Sequence, residues 1–156
     1  MAWTYATLKA AIGSYLQNSE TTFVDTYIDV AIKQAEDRIS KSVILPANRK
    51  YGPIVLTNGS TTADLPTDFL APFSLSFTSS SVNYFHKPES IVTASTSWLG
   101  SNAENCLLYG CLAEAYTFLK GDADLMKLYE EKYQVALGDL KKLGEGMDMG
   151  DAYRMS

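Results

Sequence analysis

The chain has few of the residues that build metal and nucleophile sites: one histidine, His86, and two cysteines, Cys106 and Cys111, among 156 residues. No CxxC pair, HExxH, GxSxG elbow or second histidine accompanies them, so zinc, metalloprotease and triad chemistry lack their parts. His86 reads as an ordinary strand or loop residue. Cys106 and Cys111 lie five apart in a helical pattern, which turns them roughly 140° from each other at 3.6 residues per turn. They cannot easily bridge, and they are read as reduced, packed thiols of a cytosolic setting. Long apolar runs are missing too. The richest, Cys106 to Leu119, contains Glu114 and is too short to span a bilayer, and Met1-Ala2-Trp3-Thr4-Tyr5 has neither the basic nor the apolar part of a secretory signal. Asn58-Gly59-Ser60 therefore carries no glycosylation meaning. Basic charge is in deficit, with 13 Lys and Arg against 18 Asp and Glu and a net charge of -5. That balance argues against a domain that grips nucleic-acid phosphates.

What is present is the composition of one globular domain, 46% hydrophobic and 20% charged, with a chain long enough for a real core. Residues 51–100 hold 16 Ser and Thr and all but one of the five prolines, which is loop and strand chemistry. Helical patterns flank that centre. Thr4 can cap a helix with Leu8, Ala11, Ile12, Tyr15 and Leu16 inward, and Asn18-Ser19 breaks it. Thr22 and Asp25 resemble a capping box. After them Val24, Ile28, Ala31, Ile32, Ala35 and Ile39 form one stripe, with Asp29–Lys33 and Asp37–Lys41 pairs opposite, so a helix is predicted from about Thr22 to Ser42.

Asn58-Gly59 between Ile54-Val55-Leu56-Thr57 and Thr61-Thr62-Ala63-Asp64-Leu65 predicts a hairpin. Two further strands are predicted at Phe73–Phe77 and Val82–Phe85. A helix apolar nearly all round runs from about Asn102 to Lys120 and ends at Gly121. The next runs from Asp122 to about Leu143, with Leu125, Leu128, Tyr129, Tyr133, Ala136, Leu137 and Leu140 inward, and so short a junction makes the two antiparallel. The predicted fold is mainly α (α+β), a four-helix bundle with a small antiparallel β region at about 52–87 inserted between the second and third long helices. Residues 1–143 form this single domain, and 144–156 form an extended, flexible C-terminal arm.

The remaining chemical candidates resolve into packing. Gly144, Gly146 and Gly150 follow a helix and precede no Lys-Ser/Thr, so they make no phosphate loop. Asp122 and Asp124 lack the glycine and third ligand of a calcium loop and read as helix caps. Most tyrosines (Tyr15, Tyr109, Tyr116, Tyr129, Tyr133) fall at core-facing spacing rather than among Arg and Lys. Glu114 stands out within its apolar helix, and requires either a buried Arg or Lys partner or a neighbouring subunit. Glu114, Arg38 and Arg49 are the candidate subunit-interface residues. The arm, with Gly144, Gly146, Met147, Met149, Gly150, Tyr153, Arg154 and Met155, carries residue types enriched at interfaces. No catalytic, cofactor or metal residues are assigned.

Several segments, in order, resemble the head-to-tail adaptor proteins of short-tailed (podovirus-like) bacteriophages, the tail tubular protein A-like connectors. They are Ile32–Ile39 leading to Leu45-Pro46-Ala47-Asn48-Arg49-Lys50, then Leu65-Pro66-Thr67-Asp68-Phe69-Leu70-Ala71-Pro72 and Pro88-Glu89-Ser90-Ile91-Val92-Thr93. Ser97-Trp98-Leu99-Gly100, Leu107-Leu108-Tyr109-Gly110, Glu114–Gly121 and Asp151-Ala152-Tyr153-Arg154 follow. The resemblance implies a non-enzymatic virion subunit, twelve of which form a ring beneath the portal and join it to the tail nozzle (tail tubular) protein, with the C-terminal arm reaching the portal. It implies a neck location after synthesis in the host cytoplasm, no cofactor and no membrane. An acidic lumen would let DNA slide without sequence-specific binding. The family's larger β insertion is cut short here, since Phe77 reaches Lys87 across ten residues. A neck or head-completion protein of other stoichiometry, and a small-terminase-like packaging subunit, are the alternatives.

Overall fold

In a computed structural model, the structure describes residues 2–17, 26–54, 62–76 and 81–154. They fall into two compact units, a helical one (Met1–Val43 with Glu89–Gly146) and a sheet unit (Ile44–Pro88 with Met147–Ser156). The chain is mostly helical with a small antiparallel sheet, broadly α+β. Among the described residues no helix is long and apolar enough to cross a membrane.

The helical unit begins with α1, Tyr5–Leu16, opened by Thr4, whose side chain accepts from the Thr7 amide while the Thr7 side chain caps back onto Thr4. Ahead of it, Trp3 donates its amide to the Gly100 carbonyl at 2.7 Å and its indole N–H to the Glu104 carbonyl at 3.2 Å. Helix α2, Ile28–Ser42, buries Ile28, Ala31, Ile32, Ala35 and Ile39 along one stripe. Each fully buried isoleucine there contributes roughly 1.5–3 kcal/mol of apolar burial. The Thr22–Asp25 start lies outside the described residues; Thr26 and Tyr27 form a wider π turn before α2. Asp37 pairs with Lys41 at 2.5 Å as expected. Asp29 does not show the expected pairing with Lys33. It turns to α1, accepting from the Tyr5 hydroxyl at 2.7 Å with Lys9 Nζ 3.9 Å away.

Two short helices precede the central one: α3, Ile91–Ala94, capped by Ser90, and α4, Trp98–Asn102, capped by Ser97. Neither shows in the sequence, since one turn is too short to display periodicity. Helix α5, Glu104–Leu119, is the most buried element, with Cys106, Leu107, Leu108, Gly110, Cys111, Leu112, Ala113 and Ala115 inside. Lys120 ends it in the left-handed region at φ 51°, rather than Gly121. Gly121 is needed for space, because a Cβ there would stand 2.4 Å from Tyr116 Cδ1.

Helix α6, Ala123–Arg154, starts with the Asp122 carboxylate accepting from the Asp124 amide at 2.8 Å. It runs antiparallel to α5: Tyr129 meets Tyr116 at 5.2 Å, Lys132 lies 5.2 Å from the Tyr109 ring, and a Cβ on Gly110 would touch Tyr133 at 3.2 Å. Tyr129, Tyr133, Leu137 and Leu140 are buried, but Leu125 and Leu128 are about two-fifths exposed, as is half of Tyr15. Those three, read as inward, lie at helix ends where the core tapers. The helix also passes Leu143, so the glycine-rich stretch expected to form an extended arm is helical through Arg154. Glycine costs about 1 kcal/mol in a helix without forbidding it.

In the sheet unit a single 3₁₀ turn at Pro46–Asn48 leads into β1, Arg49–Pro53, followed by β2, Phe69–Ser76, and β3, Ser81–His86. The order is β1-β3-β2, all antiparallel, with Lys50 opposite Tyr84 and Pro72 opposite Tyr84 from the other side. The segment around Val82–Phe85 is thus the central strand, buried at Val82, Tyr84 and Phe85. β1 was not expected, because Lys50, Gly52 and Pro53 are poor strand formers; Pro53 is tolerated at an edge. The Asn58-Gly59 hairpin lies almost wholly outside the described residues, and Thr62–Leu65 is not strand.

Candidate functional site

Within the helical unit two carboxylates from different helices meet at Arg38. This guanidinium on α2 donates to Glu114 Oε1 on α5 at 3.3 Å, and to Glu130 on α6 at 3.0 and 2.5 Å. Its Cζ also lies 4.5 Å from the centre of the Tyr133 ring, and Gln134 donates to Glu130 at 2.7 Å. Hydrogen bonding to Glu130 raises the Arg38 pKa, and the same bond holds the Glu130 carboxyl below the usual range. Glu114 therefore has the intramolecular arginine partner that its place in an apolar helix demanded. One cation serving two carboxylates ties three helices together. Glu130 was missed in the sequence because nothing local distinguishes it from any solvated helix glutamate.

Arg49, the third residue grouped with these, belongs to the sheet unit. It pairs with Asp148 near the end of α6 and lies 4.3 Å from the Phe73 ring and 5.7 Å from Phe85. Across the sheet, Lys50 Nζ reaches Asp68 at 2.5 Å and the Tyr84 hydroxyl donates to the same carboxylate at 2.8 Å. Hydrogen bonds from Lys50, then Tyr84, lower the Asp68 pKa; burial first, then Asp68, raises that of Tyr84. These groups border an open cleft of about 680 Å³ with Gly52, Leu65 and Pro66. A second cleft, about 350 Å³, lies in the helical unit between Ala103–Cys106 and Asp139, Leu140 and Leu143.

The remaining candidates occupy structural positions. His86 ends β3 with Nδ1 2.8 Å from the Asn48 carbonyl. Cys106 and Cys111 are free and buried, and burial pushes Cys106 up to about 12 and Cys111 well above the usual thiol value. Among the described residues no cluster of His, Cys, Asp or Glu could hold a metal ion. Gly144, Gly146, Met147, Met149, Gly150, Tyr153 and Arg154 all lie on α6, whereas Met155 falls outside the described residues. Gly144 is buried, while a Cβ on Gly146 would meet nothing within 4 Å.

The described residues thus form a helical unit and a three-stranded sheet unit, each with ion pairs between its own elements. The family model for the SU10 adaptor protein matches residues 3–83, just over half of the chain, from α1 into the start of β3. The chain belongs to that family, the head–tail adaptors of tailed phages, and is a structural component of the virion. No curated protein matches it.

Proposed function

We propose that the protein joins the portal vertex of the capsid to the tail nozzle as a dodecameric ring that continues the DNA channel. Membership in the phage adaptor family is the observation that carries this reading. In it, α1, α2, α5 and α6 are the bundle that builds the ring wall, and the subunit does no catalytic chemistry and needs no cofactor. Arg38, Glu114 and Arg49 hold each subunit's own shape, and any contribution to the subunit interface comes through their exposed edges. The C-terminal residues, from Gly144 on, meet the portal. The net charge of -5 suits a conduit through which DNA passes without being gripped.

The test is native mass, by light scattering or mass photometry, of the chain alone and mixed with portal rings of the same phage. A gain of about twelve chains per portal ring is expected for a symmetric closed assembly. No association in either order of addition overturns the reading.

A further inference from the structure

Part of the local preference in the last stretch of α6 works against the helix found there, although Glu145, Met147, Met149, Ala152 and Arg154 favour it. Gly144, Gly146 and Gly150 are weak helix formers, and Asp148 and Asp151 sit in the last two turns, where the helix dipole is already negative. One tie that holds this stretch is on the sheet. Within the sheet unit, the helix segment beginning at Met147 is joined to β1 by the Arg49–Asp148 ion pair, whose guanidinium is held against Phe73 and Phe85. The two partners are unequal: the Arg49 side chain is 23% exposed and fixed on the sheet, whereas Asp148 is 63% exposed and free to leave with its helix. Gly146, with open space where a side chain would be, stands one residue before this segment.

We propose that Met147–Arg154 is a releasable arm, parked on the sheet face through an Arg49–Asp148 clasp, and that its release exposes it to the assembly partner. The first half of this stands on the sheet unit alone; the second rests on the adaptor reading above. A solvent-accessible ion pair suits such a clasp, since salt or a competing carboxylate can open it without unfolding the sheet. Undocked, the segment loses that ion pair while keeping the cost of its glycines, so release lowers its helix content.

Hydrogen exchange of the isolated full-length chain tests the clasp, with Asp148→Lys as the variant because its exposed position spares the fold. Protection of amides 147–154 should fall about tenfold while that of 81–86 is unchanged, and the swap Arg49→Glu with Asp148→Lys should restore most of it. Raising the salt should lower protection in the parent chain but not in Asp148→Lys. Unaltered protection in that variant, or loss of sheet and arm protection together, overturns the clasp. Mixing with portal rings then addresses the partner: Asp148→Lys should associate several-fold faster than the parent. If the arm opens yet association is equally fast, the clasp stands and its role in assembly falls; if neither chain associates, it is the adaptor reading that fails.

Discussion

Replacing Arg38 with Gln should cost the protein about 2 kcal/mol at neutral pH. Arg38 makes charge-assisted bonds to two carboxylates, worth about 1.5–3 kcal/mol each when buried. Here the three side chains are 35%, 25% and 39% exposed, so solvent screens them. An exposed pair is worth about 0.2–1 kcal/mol. The bidentate geometry at Glu130 and the Tyr133 ring beneath the guanidinium place the total between those limits. A loss of about 2 kcal/mol lowers Tm by roughly 4–8 °C in a chain of this size.

The pH dependence has a definite sign. Arg38 holds the Glu130 pKa below its ordinary 4.5, so the stability gained is present above that value and is lost as pH falls through the folded-state pKa. Urea unfolding followed by circular dichroism should therefore show the full gap between parent and Arg38→Gln at pH 7, and a narrower gap near pH 3.5. A gap under about 0.5 kcal/mol at pH 7, or one that persists unchanged in acid, would refute the reasoning. Glu130→Gln should cost more than Glu114→Gln, because Glu130 takes two of the three bonds.

Gly100→Ala should destabilise by about 1–3 kcal/mol, read as a lower urea midpoint, because its Cβ would stand 2.7 Å from the Trp3 backbone oxygen, which cannot swing away. Tyr133 is wholly buried and burial pushes its phenol up to about 12, so it contributes stability below pH 10 that drains between pH 10 and 12. Tyr133→Phe should accordingly gain on the parent in thermal melts at pH 11 relative to pH 8, and an unchanged difference counts against it. The Cys106 and Cys111 thiols should ignore a thiol reagent at pH 8 in the native protein and react on unfolding in urea; prompt labelling of folded protein contradicts their burial.

Much of the helical unit was legible in the sequence, since its elements carry their own signals. The α2 stripe, the Thr4 and Asp122 caps and the all-round apolar α5 arise from spacing and side-chain chemistry within a single element. Glu114 could be flagged as needing a partner for the same reason: a carboxylate in an apolar helix is costly wherever the chain folds.

Partners, by contrast, are set by contacts distant in sequence. Nothing in the sequence around Arg38 selects Glu130, 92 residues away, nor does anything around Arg49 select Asp148. β1 exists because β3 pairs with it along Arg49–Pro53, supplying the ladder that lysine, glycine and proline cannot favour alone. The end of α6 shows the same division. Its glycines and weak periodicity predict a helix that stops near Leu143. The helix nonetheless continues through Met147–Arg154, where Asp148 pairs with Arg49 on the sheet. Which segments become helix or strand is largely local and can be read along the chain; which charges meet depends on energies shared between residues far apart in it, and only the folded arrangement supplies those.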